Sequence, residues 1–445
     1  MKIAIVGTGI SGLVCAHLLG PKHDVTLFEA NDYVGGHTHT VDVELDGRTL
    51  PVDTGFIVCN DWTYPNFLAL LDELGVATSP TSMSFSVHCD HCGLEYSGSS
   101  LSSLFCQKRN FGRPSFYRLL ADILRFNRIG SDPGQEFSQE ETVGEFIRRC
   151  RLSEEFARHY LLPMGAAIWS CPMETFSDFP IRFIIDFYRN HGLLNIWNRP
   201  TWRTVDGGSR TYVERILERF SGDLRLKSPV SRISRHEDGV DVHSQGRVTT
   251  FDEVILACHS DQALRMVDGP SKQESQILSE LPYSDNIAIL HTDTRLLPQR
   301  RKAWAAWNYH VRSSEETRPS VTYNMNILQH LPTEQTVCVT LNEEESIAPD
   351  KILGKYNYSH PYFSPTRASA QSRHTELIRH DRLSYCGAYW QNGFHEDGVH
   401  SALTVCKAFN VFPSWQDSKP AEHPNEALHK ELASAMSEAN IGGGE

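Results

Sequence analysis

Six residues near the start of the chain, Gly7-Thr8-Gly9-Ile10-Ser11-Gly12, stand between the β-branched apolar run Ile3 to Val6 and a helically spaced run ending at Leu19. Each glycine has a mechanical reason in that setting. Gly7 permits a tight turn, Gly9 lets the backbone approach a pyrophosphate, and Gly12 lets helix and strand pack closely. The helix read from Ser11 to Leu19 then offers free N–H groups and a dipole that favour a diphosphate beside Ile10 and Ser11. Glu29 follows the second strand-like run, Val25 to Phe28, about 20 residues on, where a carboxylate accepts hydrogen bonds from the ribose hydroxyls of an adenosine. An acid at that position argues against a 2′-phosphate, and hence against NADP. A plain glycine turn with a surface Glu is the alternative reading.

A second glycine pair, Gly35-Gly36, comes shortly after Ala30 and is followed by His37 and Thr38. A plain NAD-binding crossover does not need it. This segment resembles the flavin-containing amine oxidase superfamily, whose members place paired glycines near the flavin after the ribose acid. Val52-Asp53-Thr54-Gly55-Phe56 is similar to the family's next element, a glycine turn passing the isoalloxazine. Pro229 to Ile233 and Asp252 to Ala257 resemble the strands near the adenine, with Val230 acting through its backbone. Cys386-Gly387-Ala388 and Gly393-Phe394-His395-Glu396-Asp397-Gly398 resemble the closing motif at the flavin pyrimidine.

The resemblance implies FAD, with Gly7, Gly9, Ile10, Ser11, Gly12, Glu29 and Ala30 at its adenylate half. It implies Gly35, Gly36, His37, Thr38, Thr54, Gly55, Phe56, Gly387, Phe394, Asp397 and Gly398 toward the flavin, and Val230 and Ala257 beside the adenine. Three departures stand out: His37 where many members have Arg, Ala388 where many have an acid, and Cys386 at the place of a small packing residue rather than in a covalent flavin motif. Noncovalent FAD is the expectation. The most detailed resemblance is to predicted NAD/FAD-binding oxidoreductases associated with cyclopropane fatty acid synthases. It carries Gly35 to Thr40, Trp304 to Asn308, Thr322 to Asn326, His360-Pro361 and Gly393 to Gly398. It implies a small, lipophilic substrate, with contact to a membrane surface and a lipid-modifying enzyme partner as associated expectations.

A flavin takes a hydride at N5, and the negative charge left near N1 and C2=O needs stabilisation. A helix beginning near Gly398 supplies it through N–H groups, with Asp397 as N-cap. The candidate catalytic residues are His37, fixed by the glycine pair, His360, held extended by Pro361, and Asn326. Trp307, Asn308 and Tyr323 either line the same cavity or belong to the core. Asp53 either caps a turn or touches the cofactor.

The 42 Lys and Arg against 55 Asp and Glu leave a net charge of -13, which disfavours nucleic-acid binding. Eleven cysteines without a leader segment point to reduced, buried thiols and a cytoplasmic chain. Cys89-Asp90-His91-Cys92 has the spacing of half a zinc site. No second CxxC or well-spaced CxxH follows, so a hairpin turn and no metal are expected. The pattern predicts an α/β fold with a discontinuous Rossmann-type FAD-binding domain (1–60, 200–265 and 376–415). A mixed α+β substrate domain covers 61–199 and 266–375, with a largely helical insertion over 62–199, and a C-terminal tail covers 416–445, disordered at Ile441 to Glu445. In the insertion, Phe116 to Phe126 with interleaved Arg118, Arg125 and Arg128 reads as core with a solvated face, or as a lipid-surface stripe. The expected function is an FAD-dependent oxidoreductase moving a hydride from an apolar, acyl-lipid substrate. The alternatives are an amine oxidase and a noncatalytic nucleotide-binding partner of a lipid-modifying enzyme.

Overall fold

The computed structural model describes residues 1–138, 140–169, 171–311, 320–362 and 366–417. The expected disorder at the end of the tail lies outside the described residues.

The apolar runs at both ends of the chain form one parallel sheet. Its strands, from edge to edge, are Asp223–Arg225, Asp24–Phe28, Lys2–Val6, Glu253–Leu256 and Leu383–Tyr385. Strands of such a sheet are covered on both faces, which is why Ile3 to Val6 and Val254 to Leu256 read as unbroken hydrophobic runs. One face carries the helices Ile10–Leu19 and His395–Ala408, and every residue of the first except His17 is buried. The other face carries the antiparallel sheet Val230–His236, Gly239–Ser244 and Arg247–Phe251 with the helix Lys272–Ser279.

Seven strands form the second sheet, in the order Ile352–Pro361, Tyr283–His291, Cys338–Leu341, Ser320–Asn324, Trp307–Val311, Phe85–Cys89 and Glu95–Ser97. The stretch read as a helical insertion is therefore only partly helical: after the helix Pro65–Leu74 it carries the strands Thr78–Pro80, Phe85–Cys89 and Glu95–Ser97, and it is helical again from Leu101 to Asn190. The hairpin Phe85–Cys89/Glu95–Ser97 is added to the sheet by parallel pairing of Phe85–Cys89 with Trp307–Val311. The reason is backbone satisfaction: the outer groups of a two-stranded hairpin need partners, and Trp307–Val311 supplies them. In the helix Pro114–Ser131, Phe116, Leu119 and Phe126 are buried while Arg118, Arg125 and Arg128 are exposed, the core reading of that stripe. Among the described residues no helix is long and apolar enough to cross a membrane.

A buried carboxylate joins the two halves. Asp53, fully buried at the end of the hairpin Thr40–Leu45/Arg48–Asp53, accepts from Thr40 Oγ1 at 2.6 Å, Ser209 N at 2.9 Å and Ser209 Oγ at 2.7 Å. Gln329 Nε2 donates to its other oxygen at 2.9 Å. Asp53 thus caps the helix Arg210–Arg219 from another element and pins the loop after Met325–Leu328. Burial pushes its carboxyl up to about 6, against the pull of these donors. Asp53→Ala strands at least three buried donors and should lower stability by about 2–4 kcal/mol in chemical denaturation. A change within about 0.5 kcal/mol, the range of ordinary surface substitutions, would contradict this role.

Candidate functional site

Between the two sheets lies a cavity of about 830 Å³. From the first sheet and its crossovers it is lined by Gly7, Gly9, Ile10, Ser11, Glu29, Ala30, Val230 and Ala257. Gly36, His37, Thr54, Gly55, Phe56, His360, Gly387 and Phe394 line it between the sheets. Met83, Phe85, Ala167, Ile168, Trp169, Trp307, Tyr323, Leu328 and Leu341 close it on the side of the second sheet.

The crossover is built by missing side chains. A Cβ on Gly12 would stand 2.0 Å from Gly7 O, so only glycine lets the helix sit this close to the strand. A Cβ on Gly9 would meet nothing within 4 Å: that backbone fronts open space in the cavity. Glu29 is buried, and its carboxylate accepts from Thr8 N at 3.2 Å, from Thr8 Oγ1 and from Asn31 N at 2.8 Å. These bonds orient it at the cavity wall, and its remaining lone pair suits a hydroxyl of a ribose.

Five nominated residues lie behind the lining and support it. Gly12 and Gly35 hold the glycine turns. Thr38 bonds Tyr212 Oη and, at 3.0 Å, His395 Nε2. Gly398 packs on Ile10, and its carbonyl accepts from Ser11 Oγ at 2.9 Å, which ties the closing helix to the nucleotide loop. Asp397 is the fifth. The closing helix starts at His395, not near Gly398, so Asp397 is the third helical residue and its carboxylate accepts from Phe394 N at 2.8 Å. Burial pushes this carboxyl up to about 7.

One side-chain expectation needs correction and two open readings are decided. Asn326 does not line the cavity: Nδ2 donates to Gln335 O at 2.9 Å and Oδ1 accepts from Val337 N at 2.8 Å, a clamp on a loop. Asn308 is likewise used within the sheet, bonded to Ala305, Thr322 and Ser86. Asp53 also stands outside the lining.

His37 and His360 do meet, with ring centroids 5.4 Å apart. Burial, reinforced by His360, His259 and His395, holds the His37 imidazole well below its ordinary range, and burial takes His360 down to about 4. Both rings are neutral at pH 7. His37 lines the cavity, and its Nε2 is buried with no hydrogen-bond partner among the described residues.

His395 and Glu396 were absent from the residues nominated from sequence. His395 stacks on Phe56 at 3.6 Å between centroids and bonds Tyr212 Oη at 3.0 Å. Glu396 accepts from Asn66 N and Phe67 N at 3.1 and 2.9 Å, capping the helix Pro65–Leu74. Acidic residues in a first helical turn were the available signal for Glu396; the stack on Phe56 had none.

The profile of the family described as flavin containing amine oxidoreductase matches residues 10–409. The chain belongs to this family. FAD is the cofactor that this membership implies. A Mycobacterium tuberculosis protein named "Putative flavin-containing monoamine oxidase AofH" is 27% identical over 301 residues, covering 63% of this chain and 62% of that protein. The chain spans less than two thirds of the length of the curated relatives it matches. Cyclohexylamine oxidase from Brevibacterium oxydans has the same fold, with TM-score 0.65, 15% identity and coverage of 92% and 99% of the two chains. So has a CLA-producing fatty acid isomerase from P. acnes, with TM-score 0.63, 15% identity and coverage of 92% and 98%.

The residues present fit FAD: the open face at Gly9, the oriented Glu29 and the unpartnered His37 Nε2 suit diphosphate, ribose and flavin edge in turn. Cys386 is fully buried, 4.0 Å from Cys15 Sγ and outside the lining, in keeping with the noncovalent attachment typical of this family of flavoenzymes. Gly9→Asp directs a carboxylate at the diphosphate position and should yield folded, colourless protein; a flavin content equal to the parent's would refute this use of the loop.

His395 makes a pH prediction. Burial takes its imidazole from about 6.5 down to about 3, so the folded chain leaves it neutral where the unfolded chain protonates it. Its contribution is complete above about pH 6.5 and is lost as pH falls from there toward 3. His395→Gln should flatten the dependence of unfolding free energy on pH between these values, by at most about 1.4 kcal/mol per pH unit. Parallel slopes for the two proteins would contradict it.

Proposed function

We propose that the protein is an FAD-dependent oxidoreductase that removes a hydride from an apolar, acyl-chain substrate. The observation that carries this is the composition of the cavity on the side of the second sheet. Met83, Phe85, Ala167, Ile168, Trp169, Leu328 and Leu341, with Trp307 and Tyr323, include no carboxylate, Lys or Arg. Each methylene buried there is worth about 0.8 kcal/mol, whereas an unpaired ammonium would cost several kcal/mol to desolvate.

Bound FAD supplies the hydride acceptor. Gly7 to Ser11 and Glu29 hold its nucleotide half, with Val230 and Ala257 beside the adenine, and Gly36, His37, Thr54, Gly55, Phe56, Gly387 and Phe394 hold the remainder. His37 is the group that holds or moves a proton at Nε2, with His360 beside it as relay. The apolar wall excludes water and aligns the chain of the substrate. Leu124, Ile196 and Trp197, each more than half exposed, share a surface with Arg128. That surface supports lipid delivery from a membrane or from a lipid-modifying enzyme.

A second reading, oxidation of a hydrophobic amine, is favoured by the names of the mycobacterial relative and of cyclohexylamine oxidase, and by Trp307 and Tyr323, set at 89° with centroids 5.2 Å apart. Anaerobic mixing of the yellow protein with fatty acyl compounds and with amines separates the two. Bleaching of the flavin band by acyl compounds is expected, and bleaching by amines alone would overturn the acyl reading. A flavin that nothing bleaches would favour a noncatalytic role. Leu341→Lys, placed in the apolar wall, should slow acyl-dependent reduction more than about tenfold, roughly 1.4 kcal/mol, at unchanged flavin content.

A further inference from the structure

The hairpin at the edge of the second sheet carries chemistry that the flavin site does not use. Cys89 ends the strand Phe85–Cys89, and Cys92 lies in the turn before Glu95–Ser97. The turn is pinned: Cys89 N donates to Leu94 O at 2.9 Å and Asp90 N to Val311 O at 3.0 Å. Against it stands His159, in the widened helical turn Ala157–Leu161. The widening has a local cause. Pro163 has no N–H to offer the carbonyl four residues back, that of His159. Tyr96, from the hairpin, donates its hydroxyl to that carbonyl at 2.6 Å. Widened turns of this kind often mark a helical residue with a function.

The result is a three-donor cluster. The two thiol sulfurs and an imidazole nitrogen of His159 all lie within 4.8 Å of one another, and Cys92 Sγ is 3.5 Å from His159 Nε2. Sulfur and nitrogen ligands of a tetrahedral zinc ion, at roughly 2.3 and 2.0 Å from the metal, stand about 3.5 Å apart. Cys89 is buried, whereas Cys92 and His159 are partly exposed, so an ion and a solvent ligand reach the cluster from outside.

We propose that Cys89, Cys92 and His159 form a binding site for a thiophilic divalent cation, zinc, with solvent in the fourth position. On binding, both thiols release their protons to solvent, two metal–sulfur bonds and one metal–nitrogen bond form, and no group changes oxidation state. The ion would staple the hairpin to the helix Leu162–Trp169, whose Ala167, Ile168 and Trp169 line the apolar part of the cavity. The sequence displays only half of this set because His159 is 67 residues from Cys92.

A neighbouring group, His88, Asp90 and His310, also has its donor atoms within 4.8 Å of one another but contains no thiol. Cobalt distinguishes the two. Titration of the reduced, FAD-loaded protein with cobalt(II) should give one bound equivalent, with a thiolate charge-transfer band and visible bands at longer wavelength than the flavin, both displaced by zinc. Cys92→Ser and His159→Gln should each weaken cobalt binding at least about tenfold at unchanged flavin content. His88→Gln should leave the bands intact. The proposal is overturned if the parent gives no thiolate band, if the bands survive both ligand substitutions, if His88→Gln abolishes them, or if the protein isolated without reductant holds Cys89 and Cys92 as a disulfide.

Discussion

The close approach of Gly12 to the carbonyl of Gly7 sets the position of everything else in the cofactor site. With no Cβ to hold them apart, the helix Ile10–Leu19 settles onto the first strand, and its first residues, Ile10 and Ser11, line the cavity. The closing helix His395–Ala408 packs on that helix in turn, through the Ser11 hydroxyl and the carbonyl of Gly398. Two segments almost four hundred residues apart in sequence are thereby fixed relative to one contact in the first crossover. Phe394 and His395 border the same cavity as a consequence.

Several polar groups around the cavity are held by partners rather than left to solvent, and its histidines are held uncharged. The histidines His37, His360 and His395 are kept neutral by burial. The same burial raises the carboxyls of Asp53 and Asp397. Neutral imidazoles at the cavity suit the proposed transfer of a hydride from an apolar carbon. Charge developing on bound FAD would be stabilised by the backbone N–H groups at the start of the closing helix.

The parts legible in the sequence were those governed by local geometry. The spacing of Gly7, Gly9 and Gly12 and the acid at Glu29 follow from what one strand, one turn and one helix require, and the buried strands declared themselves by unbroken apolar runs. The structure departs from the sequence reading where distant segments decide the outcome. The hairpin Phe85–Cys89/Glu95–Ser97 joins the second sheet only because Trp307–Val311 offers an edge. Asn326 carries the polarity of a catalytic side chain but spends it on the loop at Gln335 and Val337. The closing helix begins three residues early because Asp397 satisfies the Phe394 amide, a preference that glycine at 398 obscured.

The central claim is that the first crossover grips a diphosphate while Glu29 grips the adjoining sugar, so the adenylate half of FAD supplies much of the affinity. Comparison of FAD with FMN, which lacks that half, tests it directly: dissociation constants for both are measured with deflavinated parent protein and with Glu29→Ala. The account predicts a strong preference of the parent for FAD that Glu29→Ala largely erases, with FMN affinity little changed. A parent that binds FMN as tightly as FAD, or a Glu29→Ala protein that keeps the full preference, would contradict it.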